Sequence, residues 1–146
     1  MDRTSINRIH HLAPYMLATG DDAGCVKIWD IRMAQAVAEH KVHEDYVADM
    51  VFDPERHTLV SVSGDATLAA YDMRQQKVEG RSDEQEDELH SVCIIKHGKK
   101  LVCGSQDGVL LVFHWGRWGD CTDRFPGHPD SVDAMVKIDE STIATG

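Results

Sequence analysis

Short apolar runs alternate with polar turns along the whole chain, and one run in each unit ends in an aromatic residue. Trp29, Tyr71 and Phe113 are these aromatic residues, and they lie 42 positions apart. Within each unit, two runs rich in β-branched residues flank a Gly/Asp turn, as in residues 16–30, which is the pattern of a tight β-hairpin. A repeat of this length is typical of an array of small β-sheets.

Further positions keep the same phase, namely Leu17, Leu59, Leu101 and Ile143, then Thr19, Ser61, Cys103 and Thr145, then Gly20, Gly104 and Gly146. Each unit also has one apolar run before its hairpin and one after it. In the second unit this predicts strands over about 46–52, 58–63, 67–73 and 77–81. No window of ten or more residues has apolar residues at helical spacing. We therefore predict an all-β chain of four-stranded antiparallel propeller blades.

The length of the chain sets how many blades it can form. At 42 residues per unit, 146 residues supply about 3.5 blades, whereas propellers close with about four to eight. The predicted blades cover approximately residues 5–42, 43–83 and 89–126, with an incomplete fourth blade over 127–146. We therefore expect an unclosed ring belonging to a longer protein, with no leader before the first strand near Ile6. In isolation this chain should be aggregation-prone or molten, because its end faces lack neighbours.

Two motifs carry a family resemblance. The hairpin ending Ile28-Trp29-Asp30, and Gly127-His128 ahead of Val132 and Met135, resemble the WD-repeat signature. In that family a His before the first strand, a Ser or Thr in the second, an Asp in the turn and the aromatic residue of the third form a buried hydrogen-bond relay. The resemblance implies that these side chains hold each blade together.

The second unit matches the relay completely, with His43, Ser61, Asp65 and Tyr71. The other units match it in part. The first has Thr19 and Trp29, but Ala23 takes the position of the turn aspartate. The third has Asp107 and Phe113, but Cys103 replaces the hydroxyl residue, and the fourth has His128 and Thr145. A buried polar network stabilises a fold only when its members are satisfied. We therefore expect the second blade to be the most rigid.

A narrower resemblance rests on segments that the general signature does not supply. Residues 45–50 and 99–105, Trp115, Gly119 and the turn at 123–125 are similar to the middle blades of a nucleolar WD-repeat family. This resemblance implies a nuclear and nucleolar scaffold needed for ribosomal RNA production and ribosome assembly. Its implied partners are ribosome-assembly factors and the remaining blades of the full-length chain.

A second functional hypothesis comes from the end of the third strand. Trp29-Asp30-Ile31-Arg32 and Tyr71-Asp72-Met73-Arg74 resemble the W-D-x-R box by which WD-repeat substrate receptors dock on the DNA-damage-binding adaptor of cullin-4 ubiquitin ligases. Asp30, Arg32, Asp72 and Arg74 are therefore candidate partner-binding residues. The longer box is imperfect at Ala18, Ala23, Val62 and Ala70. The alternative is structural, because the Asp can cap the turn and the Arg can pair with a neighbouring acid.

Charge narrows the choice of partner. The formal net charge is −10, with 25 acidic and 15 basic residues, which argues against direct nucleic-acid binding by this segment. Residues 82–88, between the second and third blades, form an acidic loop that we expect to be extended and solvated, or to dock a basic partner. No apolar run approaches the ~20 residues of a membrane span.

No pattern points to catalysis, a cofactor or a metal. The chain has no G-x-S-x-G elbow, P-loop or H-E-x-x-H motif, so we expect a non-enzymatic protein. The four cysteines fit reduced packing positions, and the nine histidines are scattered rather than grouped as ligands. Trp118, beside Trp115, is a candidate contact residue if it is exposed, with packing under its loop as the alternative.

Overall fold

The computed structural model describes residues 4–146, and every regular element within them is a β-strand. The strands are β1 (Ile6–Ala13), β2 (Met16–Asp21), β3 (Cys25–Asp30), β4 (Ala36–Lys41), β5 (Val47–Asp53), β6 (Thr58–Ser63), β7 (Leu68–Asp72), β8 (Lys77–Arg81), β9 (Leu89–Ile95), β10 (Lys100–Ser105), β11 (Val109–His114), β12 (Asp123–Pro126), β13 (Met135–Asp139) and β14 (Thr142–Thr145). The part of the chain that the structure describes therefore contains no helix that could cross a membrane.

The strands form four antiparallel sheets in the order of the sequence. β1–β4, β5–β8 and β9–β12 are four-stranded sheets, and β13 pairs with β14. Each strand pairs with its neighbour in the chain, so each sheet is a simple meander. This arrangement confirms the predicted four-stranded antiparallel blades, and we call the sheets blades 1 to 4.

Residues 42 positions apart occupy equivalent places in successive blades. In successive blades, Leu17 lies opposite Trp29, Leu59 opposite Tyr71, and Leu101 opposite Phe113, each pair joining the second and third strands of one sheet. A large aliphatic side chain beside an aromatic one fills the centre of the blade, and such cross-strand pairs stabilise sheets. Tyr71 and Phe113 are fully buried.

Blade 2 is covered on both faces because its strands send alternate side chains to opposite sides. Leu59, Ala69 and Tyr71 belong to an apolar cluster that also contains Ile28 of blade 1. The intervening side chains belong to a second cluster, which reaches Phe113 of blade 3. Apolar burial between neighbouring sheets is thus the main interaction that orders the array.

Two glycines allow the sheets to approach closely. A Cβ atom on Gly20 would lie 2.5 Å from a methyl group of Val47, the first residue of the next blade. A Cβ atom on Gly104 would meet Ser91 at 2.4 Å and Val132 at 2.7 Å. Both positions require glycine because other residues occupy the space of a side chain: Val47 of the next blade at Gly20, and Ser91 of the same sheet together with Val132 at Gly104.

The loops fall into two sets according to the strand that they follow. Loops after even-numbered strands lie on one side of the array, which we call the upper rim, and loops after odd-numbered strands lie on the other, the lower rim. Contacts between blades agree with this assignment. Gly24 approaches the His43 carbonyl on the upper rim, and Arg56 donates to the Gly98 carbonyl on the lower rim.

The outer faces of the first and last sheets carry exposed apolar side chains. Ile6 and Ile9 of β1 are 56% and 65% exposed, and Val136 and Ile138 of β13 are 64% and 65% exposed. Exposed apolar side chains on strands favour association between chains.

We therefore predict that the double substitution Ile9→Lys and Ile138→Lys raises the monomeric fraction of the 146-residue chain in size-exclusion chromatography. Lysine on an exposed strand face repels a second sheet. The matched control is Val78→Lys on β8, a residue that is 41% exposed on the outer strand of blade 2. An equal gain from the control would contradict the assignment of association to the end faces.

Candidate functional site

The predicted relay residues of blade 2 lie together in the centre of the sheet. His43 Nε2 is 2.7 Å from Ser61 Oγ, which is 2.9 Å from the Tyr71 hydroxyl. His43 Nδ1 lies 3.0 Å from Thr67 Oγ1 and 3.3 Å from the Asp65 carboxylate. The chain of hydrogen bonds therefore runs from the turn of blade 2 through the imidazole to the aromatic residue.

Asp65 is the branching point of this relay. Its carboxylate accepts hydrogen bonds from Thr67 Oγ1 at 2.6 Å and from the backbone N–H of Glu44 at 2.9 Å, and Arg81 lies 3.3 Å away. Burial opposes ionisation, but the hydrogen bonds from His43 and Thr67 outweigh it and hold the pKa of Asp65 well below its usual range. As a carboxylate, Asp65 thus joins its own turn to the loop before β5 and to the end of β8.

Blades 1 and 4 contain shorter versions of the relay. In blade 1, Trp29 Nε1 donates to Thr19 Oγ1 at 2.9 Å. The turn there is held by Asp21, whose Oδ1 accepts hydrogen bonds from two backbone N–H groups at 3.0 and 2.9 Å. In blade 4, His128 Nε2 is 2.7 Å from Thr145 Oγ1.

Blade 3 has no polar relay among the described residues. Cys103 and Phe113 are fully buried, and the Asp107 carboxylate bonds to the Ser105 hydroxyl within the turn. Gln85 stands 42 residues after His43, is buried, and donates to the Asp83 carbonyl at 2.9 Å. Gln85 is not among the predicted relay residues, although the 42-residue period marks its position.

The acidic loop 82–88, which we expected to be extended and solvated, is solvated only in part. Ser82 and Gln85 are buried, and Ser82 Oγ accepts a hydrogen bond from the Leu68 backbone N–H at 2.9 Å. Asp83 and Glu84 remain exposed. The buried polar side chains fix the loop against blade 2, so its acidic groups are presented from an ordered backbone.

The two W-D-x-R arginines lie on the lower rim in different environments. Arg32 donates from Nε and Nη2 to the Asp30 carboxylate at 2.9 and 2.6 Å, and its guanidinium stacks 4.4 Å from the Tyr15 ring. The hydrogen bonds from Arg32 lower the pKa of Asp30 to about 2. Arg32 therefore already has an ionic partner inside its own turn.

Arg74, unlike Arg32, has no ionic partner in its own turn. The Asp72 carboxylate accepts hydrogen bonds from the backbone N–H groups of Arg74 and Gln75, at 2.8 and 3.1 Å, and so caps the turn. Among residues 4–146, the Arg74 guanidinium forms no salt bridge. Its side chain is exposed on the lower rim and is available to a carboxylate from another molecule.

Trp118 is a packing residue, so the candidate contact role is not supported by its position. It is 6% exposed, its ring contacts the position of Gly80 on β8, and Trp115 packs against it edge to face at 5.0 Å. The guanidinium of Arg56 in turn lies 4.7 Å from the Trp115 ring. The loop between β11 and β12 thus ties blade 3 to blade 2.

The cysteines are unpaired thiols, and three of them lie in strands. Burial, followed by a hydrogen bond to Glu39, raises the pKa of Cys25 to about 12. Burial also raises the pKa of Cys103. Both thiols are therefore protonated packing groups rather than nucleophiles. Within the described residues, no three His, Cys, Asp or Glu side chains are grouped to hold a metal ion.

Charged residues are sorted between the two rims. The upper-rim loops contain twelve acidic residues and no Lys or Arg: Asp22, Glu44, Asp45, Asp65, Asp83, Glu84, Glu86, Asp87, Glu88, Asp107, Asp130 and Asp133. The lower-rim loops contain six basic residues, Arg32, Arg56, Arg74, Lys96, Lys99 and Arg117, and three acidic ones, Glu55, Asp120 and Glu140. The formal charge of the upper-rim loops is therefore −12, whereas that of the lower-rim loops is +3.

A polar cleft of about 560 Å³ opens on the upper rim between blades 1, 2 and 3. Tyr46 of blade 2 donates to Glu88 of blade 3 at 3.0 Å, and His90 Nδ1 is 2.8 Å from Asp133 of the next blade. Partial burial opposes protonation of His90, but hydrogen bonds to Asp133 and Glu88 outweigh it and raise the pKa of His90. The cleft therefore brings carboxylates and basic groups together, since Asp22, Asp133, Arg8 and His90 all line it.

The relay generates a stability prediction. Ser61→Ala should lower the free energy of unfolding by about 1–3 kcal/mol, because it leaves His43 Nε2 and the Tyr71 hydroxyl buried without their shared partner. Tyr71→Phe should cost less, about 1 kcal/mol, because Ser61 keeps its bond to His43. Urea denaturation checks both values. The control is Ser141→Ala, at an exposed turn, which should change the free energy of unfolding by no more than about 0.5 kcal/mol. Changes of no more than about 0.5 kcal/mol in all three variants would contradict a structural relay.

Known proteins similar to this chain include a family model and several curated relatives. The WD domain, G-beta repeat model matches residues 34–72. WD repeat-containing protein 55 of Arabidopsis thaliana is 45% identical over 97% of this chain and 40% of its own length. WD repeat-containing protein JIP5 of Laccaria bicolor is 41% identical over 98% of this chain and 37% of its own length. WD repeat-containing protein 55 of Homo sapiens is 38% identical over 97% of this chain and 37% of its own length.

A solved structure shows the same fold. A chain of the crystal structure of the mitotic checkpoint complex matches with a TM-score of 0.85 at 20% identity, covering 98% of this chain and 44% of that one. At this identity the match concerns the fold alone. The chain spans about 40% of the length of the curated relatives named above. These similarities, together with the four blades and the 42-residue period, show that the chain belongs to the WD-repeat β-propeller superfamily.

Proposed function

We propose that the chain is a non-catalytic protein-interaction scaffold of a nucleolar WD-repeat protein that serves ribosomal RNA production and ribosome assembly. The similarity to WD repeat-containing protein 55 and to JIP5 over nearly all of the chain supports this assignment. The strands are occupied by packing between blades, so the loops of the two rims are the surfaces left for partners.

The observation that carries the proposal is the charge of the upper rim. Twelve acidic loop residues and no basic ones create a negative potential that attracts basic partners and repels nucleic acid. Ribosomal proteins and assembly factors with basic tails have the complementary chemistry. Nucleic acid would then be reached only through such partners, and the nucleus with its nucleolus would be the place of action.

The shape of the upper rim agrees with a docked peptide segment. Glu44, Asp45 and Glu84 line a depression of about 420 Å³ that also contains Arg81 and Asp65. The relay holds the Asp65 carboxylate in place, and the buried Ser82 and Gln85 fix the backbone of the loop that carries Glu84. Lysine or arginine side chains entering this depression would gain salt-sensitive attraction with little ordering cost.

We predict that Asp83→Lys with Glu84→Lys weakens binding of a synthetic peptide of alternating lysine and arginine by roughly tenfold, because two acids are replaced by two repelling cations. Fluorescence anisotropy at about 0.05 and 0.5 M salt measures the affinity, which should fall with salt in the unmodified protein.

The matched control is Glu55→Lys with Asp120→Lys, which makes the same change of net charge on the lower rim. This variant should bind the peptide nearly as tightly as the unmodified protein. An equal loss of affinity in both variants would mean that net charge, rather than the upper rim, controls binding, and would contradict the proposal.

A second candidate function rests on the lower rim. The exposed Arg74 guanidinium without a salt bridge among the described residues favours docking of the W-D-x-R motifs on the DNA-damage-binding adaptor of a cullin-4 ubiquitin ligase. Arg32 would first have to exchange its bonds to Asp30 for bonds to the adaptor. The two functions use opposite rims and are therefore compatible in one protein.

We predict that Arg32→Ala with Arg74→Ala leaves ribosome-assembly factors bound in affinity capture from cells, because these residues lie opposite the acidic rim. Mass spectrometry of the captured proteins makes the comparison with the unmodified protein. Loss of the cullin-4 adaptor from the double variant, with ribosomal partners absent from both samples, would replace the scaffold proposal with the substrate-receptor function.

A further inference from the structure

An apolar groove opens on the lower rim between blades 1 and 2. Its volume is about 230 Å³, and it is lined by Leu12, Ala13, Met16, Ile28, Phe52, Pro54, His57, Met73 and Gln76. Seven of these nine side chains are apolar. The groove lies where the end of the first strand of blade 1 faces the corresponding end in blade 2.

The size of the groove favours one or two side chains rather than a whole small molecule. Ligand pockets for drug-sized molecules usually measure about 300–1,000 Å³, whereas a cavity of about 150 Å³ is enough to hold a benzene-sized group. A leucine, methionine or phenylalanine side chain therefore fits the groove. The surrounding surface must then hold the rest of the partner.

Apolar surface continues from the groove onto blade 1. Tyr15, next to the groove residue Met16, is 50% exposed, and its carbonyl accepts the backbone N–H of Ile31 at 2.8 Å. Ile31 and Met33 are 58% and 52% exposed. Large apolar side chains grouped at this exposure are typical of interaction surfaces.

The charged residues around the groove favour an acidic partner. None of the groove-lining residues is acidic, although the chain as a whole carries −10. Arg74 directly follows the groove residue Met73, and its guanidinium has no salt bridge within residues 4–146. The Asp72 carboxylate accepts hydrogen bonds from the backbone N–H groups of Arg74 and Gln75, and it forms no salt bridge with the Arg74 guanidinium.

We propose that this groove binds a protein segment that inserts a large apolar side chain between blades 1 and 2 and places a neighbouring carboxylate on Arg74. The partner segment is thus acidic and apolar, the opposite of the basic segment proposed for the upper rim. The two sites are physically separate, so this inference holds or fails independently of the ribosome-assembly function. Because one side chain and one exposed ion pair bind weakly, we expect an affinity in the micromolar to millimolar range.

Two methionine side chains in the groove can report binding by NMR. Met16 and Met73 line it, whereas Met50 lies in the core and Met135 on blade 4. We would label methionine methyl groups with carbon-13 in the longest natural chain that contains these residues, and assign the signals with Met16→Leu and Met73→Leu. The probe is a synthetic peptide with two leucines between aspartates and glutamates. Its titration should shift the signals of Met16 and Met73 and leave those of Met50 and Met135 unchanged.

Two matched peptides and two matched variants test the chemistry. A peptide with asparagine in place of leucine, and one with lysine in place of the acids, should each bind at least about tenfold more weakly. Arg74→Glu should weaken binding of the acidic peptide roughly tenfold, whereas Arg117→Glu, an exposed lower-rim arginine of blade 3, should not. Unchanged Met50 and Met135 signals show that the variants are folded. Absence of shifts at Met16 and Met73, or equal shifts with the asparagine peptide, would overturn the proposal.

Discussion

Each sheet of this fold must have both of its faces covered by apolar side chains. A blade exposes alternate side chains on opposite sides, so an apolar strand such as β6 is stable only when another sheet lies against each face. Leu59 and Val60, adjacent in sequence, are fully buried in two different clusters. The glycine at position 20 exists in this context because Val47 of the next blade fills the space beside it.

This constraint leaves function to the loops. Since a meander alternates direction, loops after even-numbered strands meet on one side and those after odd-numbered strands on the other. The sequence uses this alternation to separate charge, with acidic loops above and mainly basic loops below. One rigid array can thereby present two surfaces of different chemistry to two partners.

The architecture was predictable from the sequence because the period of 42 residues marks pairs such as Leu59 and Tyr71, which the sheet places side by side. The network around His43 followed from the same register and the family resemblance. Other features depend on three-dimensional packing. Ala66 adopts a left-handed conformation, with φ of 66°, where blades 1 and 3 have Gly24 and Gly108. Trp118 is buried because its loop folds back onto Gly80. The sorting of charge becomes visible only when each loop is assigned to a rim.

The central claim is that a rigid stack of blades presents an acidic upper rim to basic partners. Hydrogen–deuterium exchange with mass spectrometry, with and without a saturating lysine- and arginine-rich peptide, tests it most directly. Exchange should be slowest in β6, which is fully buried, and in β7, which is buried except at Asp72. The peptide should add protection only in upper-rim loops such as 42–46 and 82–88. Fast exchange throughout blade 2, or protection confined to the lower-rim loops, would contradict it.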